Sequence, residues 1–159
     1  MIAEDTDDLL AVFGDPKVMD CFHTAPFGRE RMTAWVERNL AHQRQFGYGL
    51  FSIILKSEDR LIGDCGLEHM DIEGEPCIEL GYDLASEYWG RGLATEAACA
   101  VRDYAFATLG LDRLVSLIRA DNRASQRVAE KVGMERLHTF MGRGIEYTLY
   151  GMAGNGLGK

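Results

Sequence analysis

Glu79-Leu80-Gly81-Tyr82-Asp83-Leu84, followed by Ala85-Ser86-Glu87-Tyr88-Trp89-Gly90-Arg91-Gly92-Leu93-Ala94-Thr95-Glu96-Ala97, reads as a strand, a glycine-bearing turn and the start of a helix. Gly90 and Gly92 remove Cβ atoms where backbone N–H groups have to come close to something. The helix behind them aims its unpaired N–H groups and the positive end of its dipole at the same spot. Such a turn seats an anion, and a pyrophosphate is the obvious one. A tight strand–helix turn that binds nothing is the plain alternative.

On the N-terminal side, Leu50 to Lys56 predicts a strand, Ser57-Glu58-Asp59-Arg60 its turn, and Leu61 to Met70 an antiparallel return. Asp71-Ile72-Glu73-Gly74-Glu75-Pro76 is a second turn, and Cys77 to Leu84 the third strand. Earlier still, Asp5 to Phe13 is helical, with Asp5, Asp7 and Asp8 near its positive end. Gly14-Asp15-Pro16 breaks that helix, Val18 to Phe22 resumes a turn, and Cys21 to Arg29 is a loop. A long helix from Arg29 to Phe46 carries Met32, Trp35, Val36 and Leu40 on one face, so Trp35 reads as core.

On the C-terminal side, the helix runs from Leu93 to Thr108, with Leu93, Ala97, Val101 and Tyr104 or Ala105 as its buried stripe and Gly110 as its cap. Arg113 to Arg119 is a strand that a right-handed crossover sets parallel to Cys77–Leu84. Asn122 caps a last helix, Arg123 to Val132, which stops at Gly133. Glu135–Met141 and Ile145–Met152 form a closing hairpin about Gly142-Arg143-Gly144. The expectation is one α/β domain with a mixed sheet over residues 1–152, and a flexible glycine-rich tail at residues 153–159.

The 159 residues are 47% hydrophobic and 26% charged, the balance of a soluble globular chain. No apolar run reaches the roughly 18 residues of a membrane span, and the acidic start Met1-Ile2-Ala3-Glu4-Asp5 is unlike a signal peptide. The expected location is the cytoplasm, away from any membrane. A net charge of −8 argues against nucleic acid as the partner and is compatible with cationic amines. Cys21, Cys65, Cys77 and Cys99 are scattered among apolar neighbours and read as buried reduced thiols. His23, His42, His69 and His138 lack metal-ligand spacing, so no metal site is expected.

Known phosphate-binding turns can be set against the central stretch. A Walker-type turn needs G-x-x-x-x-G-K-[ST], which the chain lacks. A Rossmann turn needs G-x-G-x-x-G after an early strand; here Thr95 stands in the last place, and the turn follows an antiparallel meander. Trp89-Gly90-Arg91-Gly92-Leu93-Ala94 instead resembles the [Q/R]-x-x-G-x-[G/A] coenzyme A turn of the GNAT N-acetyltransferases. The resemblance runs from about Asp5 to Met152. It is carried by Glu79–Tyr82, by Tyr88–Ala97, and by Asn122-Arg123-Ala124-Ser125-Gln126-Arg127-Val128-Ala129-Glu130-Lys131-Val132-Gly133-Met134. Within the family it looks most like the branch of ribosomal-protein N-terminal (alanine/serine) acetyltransferases and spermidine acetyltransferases.

That resemblance implies a mostly antiparallel sheet with a splayed parallel central pair, and acetyl-CoA as the acyl donor. It implies that the pantetheine arm lies where Cys77–Leu84 parts from Arg113–Arg119, paired with backbone groups around Tyr82 to Leu84. N–H groups of Trp89, Gly90, Arg91, Gly92, Leu93, Ala94 and Thr95 would hold the pyrophosphate. Asn122 and Ser125 would reach the pantetheine and the sulfur; Arg91, Arg123 and Arg127 could meet phosphates, with a solvated basic face as the alternative for the last two. The acceptor would be a primary amine, on a protein N-terminus, a polyamine or another small molecule. Substrate choice is expected from Cys21 to Arg29 and Arg136 to Gly144, with His23, Phe27, His138 and Arg143 as candidate lining residues.

The chain departs from the family pattern in three places. Its first element is a helix where the family usually has a strand; either the sequence is a truncated or differently started form, or a sheet edge is left for another segment or a second copy, as in a homodimer, to cover. Trp89 replaces the usual Gln or Arg. Ala129 stands where many relatives carry a Tyr that protonates the departing thiolate, which leaves Ser125 or water. Glu79 is the first candidate base, directly or through water, and Glu68 the second, each with a solvent-facing or arginine-paired carboxylate as its alternative. Glu96 reads as a first-turn helix acid. The alternative to an enzyme is a module that binds an acyl-CoA without turnover.

Overall fold

Among the described residues, 1–154 of a computed structural model, the helices are α1 (Thr6–Phe13), α2 (Pro16–Asp20), α3 (Arg29–Phe46), α4 (Leu93–Ala107) and α5 (Arg123–Val132). The strands are β1 (Leu50–Leu55), β2 (Arg60–Ile72), β3 (Glu75–Leu84), β4 (Arg113–Arg119), β5 (Glu135–Gly142) and β6 (Ile145–Ala153). They hydrogen-bond in the order β1-β2-β3-β4-β6-β5. The β3–β4 pair is parallel, while β1–β2, β4–β6 and β5–β6 are antiparallel. This is the α/β mixed sheet expected from the sequence, with β1 as an end strand.

By packing the chain falls into two compact units, residues 1–66 with 82–94, and residues 67–81 with Thr95 onward. In the first unit, α1 and α3 close on Leu9, Val12, Phe13, Met32 and Val36, all at most 4% exposed. Burying each such side chain contributes about 1.5–3 kcal/mol. Trp35 packs against this group, its ring 5.2 Å from that of Phe13. A second cluster joins Ile62, Leu84 and Tyr88 to Ile53, Leu55, Ala85, Leu93 and Ala94. In the second unit, Ile72, Val115 and Leu149 pack with Cys77, Leu117 and Phe140.

Several boundaries differ from expectation for local reasons. Asp15 accepts the Lys17 N–H at 2.9 Å with Pro16 at the first helical position, so a true helix starts at Pro16 where a turn was expected from Val18. The β2–β3 connection shrinks to Glu73-Gly74, both at positive φ, so β2 extends to Ile72 and β3 begins at Glu75. On α4 the buried positions are Ala98, Val101 and Ala105; Leu93 and Ala97 are only half-buried. Of the four cysteines only Cys65 is buried, because β2 is covered on both faces from Leu61 to Leu67. Cys21 at a helix end, Cys77 near the start of β3 and Cys99 on the flank of α4 are half-buried. β6 takes in Ala153, and the Gly154 N–H donates to Asp112 O at 2.8 Å, so the first two residues of the expected tail are held. The rest of that tail lies outside the described residues.

Candidate active site

β3 ends at Leu84, whose side chain is buried, and Ala85 N–H returns to Ile62 O at 2.8 Å. A 3-10 turn, Ser86–Tyr88, carries the chain into the glycine turn. Tyr88 anchors it: the ring is buried, and its hydroxyl donates to Glu58 Oε2 at 2.7 Å and accepts from Arg60 Nη1 at 3.3 Å. The hydrogen bond to Glu58, with desolvation second, pushes the Tyr88 hydroxyl above its ordinary pKa. Arg60 also pairs with Glu87 at 3.0 Å, and the Arg91 guanidinium lies 5.3 Å from the centre of the Tyr88 ring. Trp89 turns its indole N–H onto Leu84 O at 2.9 Å.

Gly90 and Gly92 both take left-handed φ, +74° and +81°, and a Cβ on either would meet nothing within 4 Å. Backbone conformation, rather than crowding, therefore selects glycine at both positions. The N–H groups of Gly90, Arg91 and Gly92 donate to no acceptor among the described residues. The first N–H groups of α4 follow directly, without intrahelical partners by helix geometry. Together these make an open row of donors at a positive helix end, which fits an anionic phosphate.

In the second unit, β3 and β4 share one parallel register pair, Glu79↔Val115. Glu79, half-buried, accepts the Leu117 N–H on Oε1 at 3.1 Å. Buried Ser116 donates from Oγ to Leu80 O at 2.6 Å. Asn122 caps α5 as predicted, its Oδ1 accepting the Ser125 N–H at 3.1 Å. Buried Gln126 donates to Arg119 O and Ala120 O, tying α5 to the end of β4.

The sequence-predicted residues separate into three groups. The structure brings Asn122 and Ser125 together, sets Trp89 to Gly92 in the open turn and puts Leu93, Ala94 and Thr95 in the first turn of α4. Glu68 is half-buried on β2, while Arg123 and Arg127 are exposed on α5. Phe27 is taken up by packing, its ring 5.5 Å from Phe13 with the Arg31 guanidinium above it. His138 pairs with Glu73 at 2.6 Å, and His23 and Arg143 sit in exposed turns at positive φ. Sequence reasoning missed Ser116 and the Tyr88–Glu58–Arg60 anchor. A lone hydroxyl within Arg113-Leu114-Val115-Ser116-Leu117-Ile118 was the one available signal for Ser116.

A family model described as an acetyltransferase (GNAT) domain matches residues 1–135. The chain belongs to the GNAT acetyltransferases. It is 32% identical over 139 residues to the uncharacterized N-acetyltransferase p20 of Bacillus licheniformis, covering 86% of this chain and 76% of that one. The structure of an acetyltransferase from Agrobacterium tumefaciens str. C58 is similar at a TM-score of 0.80 and 30% identity, over 96% of this chain and 86% of that one. The spermidine N-acetyltransferase of Vibrio cholerae, solved with CoA and spermine, shares the fold at a TM-score of 0.76 and 18% identity, over 97% and 92% of the two chains. In this GNAT acetyltransferase Ala129, the position at which the resemblance leads to the expectation of a Tyr, is fully buried.

Proposed function

We propose that residues 1–152 form an N-acetyltransferase domain that moves an acetyl group from acetyl-CoA to a primary amine by direct attack in a ternary complex. The observation carrying this reading is the open row of N–H groups at Gly90, Arg91 and Gly92, continued by the start of α4. It suits a pyrophosphate, and the family takes its acyl group from a coenzyme A thioester. Trp89 to Thr95 would hold that pyrophosphate, with Arg91 and Arg127 beside it. Main-chain groups of Tyr82 to Leu84 would pair with the pantetheine arm, and Asn122 and Ser125 would meet it from α5.

Acetyl-CoA supplies a thioester that a neutral amine can attack. The chain's own part is proximity, an N–H for the developing oxyanion, and a path for one proton. In this reading Glu79 takes that proton, directly or through a water, and Ser125 Oγ or a water would protonate the leaving sulfur. The second demand is mild, because a thiol with a pKa near 8.5 leaves readily as its anion. An α-amine of pKa about 8 is roughly one-tenth neutral at pH 7, some two to three orders more than a lysine amine. A protein N-terminus therefore needs less help from a base than a lysine or a polyamine does.

The test is thiol release from acetyl-CoA across a panel of polyamines, small primary amines and N-terminal peptides. Turnover with one class selects the acceptor. Tight coenzyme A binding without release on any member selects the non-catalytic acyl-CoA module instead.

A further inference from the structure

A parallel ladder alternates donors and acceptors at fixed spacing. Continued from Glu79↔Val115, the next β4 N–H facing β3 is that of Leu117, and its regular acceptor would be the carbonyl of Leu80. That rung is replaced. The Leu117 N–H donates to Glu79 Oε1 at 3.1 Å, and Leu80 O accepts from Ser116 Oγ at 2.6 Å. Each strand thus lends one side chain to the other's main chain: a carboxylate from β3 to an N–H of β4, a hydroxyl from β4 to a C=O of β3. Leu80 is 1% exposed and Ser116 2%, so solvent is not at hand to satisfy groups left over from a broken ladder. The two substitutions account for how a parallel pair ends inside a packed unit with its polar groups satisfied.

We propose that Glu79 and Ser116 are positioning residues that end the β3–β4 ladder and set the strand spacing for the main-chain pairing of the acetyl-CoA arm, a role that rests on the acetyltransferase reading above. The spacing role of Glu79 needs an acceptor oxygen and no negative charge, so it is separable from proton abstraction. Gln at this position keeps the acceptor and loses the base. Ala loses both and leaves the Leu117 N–H to seek the Leu80 carbonyl. Ser116→Ala frees that carbonyl from the other side.

The experiment measures coenzyme A affinity by calorimetry and acetyl-CoA kinetics on the full chain, for wild type, Glu79→Gln, Glu79→Ala and Ser116→Ala. Glu79→Gln should bind coenzyme A like the wild type while its kcat falls. Glu79→Ala and Ser116→Ala should weaken coenzyme A binding by about ten-fold, the worth of one such hydrogen bond. Unchanged affinity in the folded alanine variants overturns the proposal, and so does a Glu79→Gln loss as large as that of Glu79→Ala. For alanine variants that do not fold, the Leu117 amide of the wild type and of Glu79→Gln is read by hydrogen exchange. Protection in both supports the bridge, and rapid exchange in the wild type overturns it. Failure of the wild type to bind coenzyme A at all removes the acetyltransferase reading as well, an outcome distinct from the others.

Discussion

The indole Nε1–H of Trp89 donates to the carbonyl oxygen of Leu84 at 2.9 Å, so the last residue of β3 and the first residue of the glycine turn are tied by a side chain. Trp89 is 45% exposed and contributes little packing, which leaves the hydrogen bond as its main structural contribution. Trp89→Phe should preserve the melting temperature to within a few degrees. The same variant should raise the KM for acetyl-CoA several-fold, the worth of a net hydrogen bond of about 1 kcal/mol. Steady-state kinetics beside a thermal melt check both.

Two glycines should fail in opposite ways. Gly92 has open space around its missing Cβ and a φ of +81°, so Gly92→Ala carries conformational strain of about 1–2 kcal/mol without a clash. Relief of that strain would shift the backbone of the donor row, so coenzyme A affinity should drop in a chain that still folds. A Cβ on Gly66 would lie 2.1 Å from Gly49 O and 2.5 Å from Leu50 Cα, against the main chain leading into β1. Gly66→Ala should lower stability by about 3 kcal/mol, the upper range for overpacking. Urea unfolding with coenzyme A calorimetry on both variants tests the contrast.

Asn122 separates capping from ligand contact. Its Oδ1 accepts the Ser125 N–H, and Asn122→Ala should cost about 1 kcal/mol of stability. Asn122→Asp retains the acceptor and the cap while removing the amide N–H donors. With the proposed contact to the pantetheine, Asn122→Asp should keep wild-type stability and lose affinity for acetyl-CoA. Equal affinity in the two proteins would show that Asn122 acts as a helix cap alone.

Asp15 makes the acid limb of the stability curve testable. The Ser86 hydroxyl, and after it the Lys17 N–H, hold the Asp15 carboxyl below its ordinary 3.8. A pKa depressed on folding gives stability that is present above 3.8 and is lost as the pH falls through the folded value. Ser86→Ala removes the first cause. The wild type should therefore exceed Ser86→Ala in unfolding free energy at neutral pH, and the two curves should converge on acidification. Denaturant titrations at a series of pH values would show convergence or its absence.

Much of the site's local scaffold could be read in one dimension. The α5 limits, Arg123 and Val132, follow from a capping Asn and a terminating Gly, and the β4 limits from a mostly apolar stretch between Arg113 and Arg119. The same holds for Gly90 and Gly92, since a left-handed turn ahead of a helix leaves few other choices of residue. What pattern could not resolve was where polar groups find partners across the chain. Glu79 reads as a candidate base, with a surface carboxylate or an arginine partner as its alternative, and folding places it on the Leu117 N–H, 38 positions away. Phe27 reads as a loop aromatic open to a substrate, and it goes instead to Phe13. On α4 Val101 and Ala105 are buried as read, but Ala98 is buried where Ala97 was expected, because the two alanines are equivalent to a hydrophobic count.

Sequence alone was enough for the order of elements, the parallel crossover and the glycine turn ahead of α4, because each rests on short-range rules of backbone conformation, capping and handedness. Tertiary structure alone decided how the β3–β4 ladder ends. A hydrogen bond lost between strands must be replaced by whichever side chain packing brings within reach, and Glu79 and Ser116 are 37 residues apart in sequence but act on one rung.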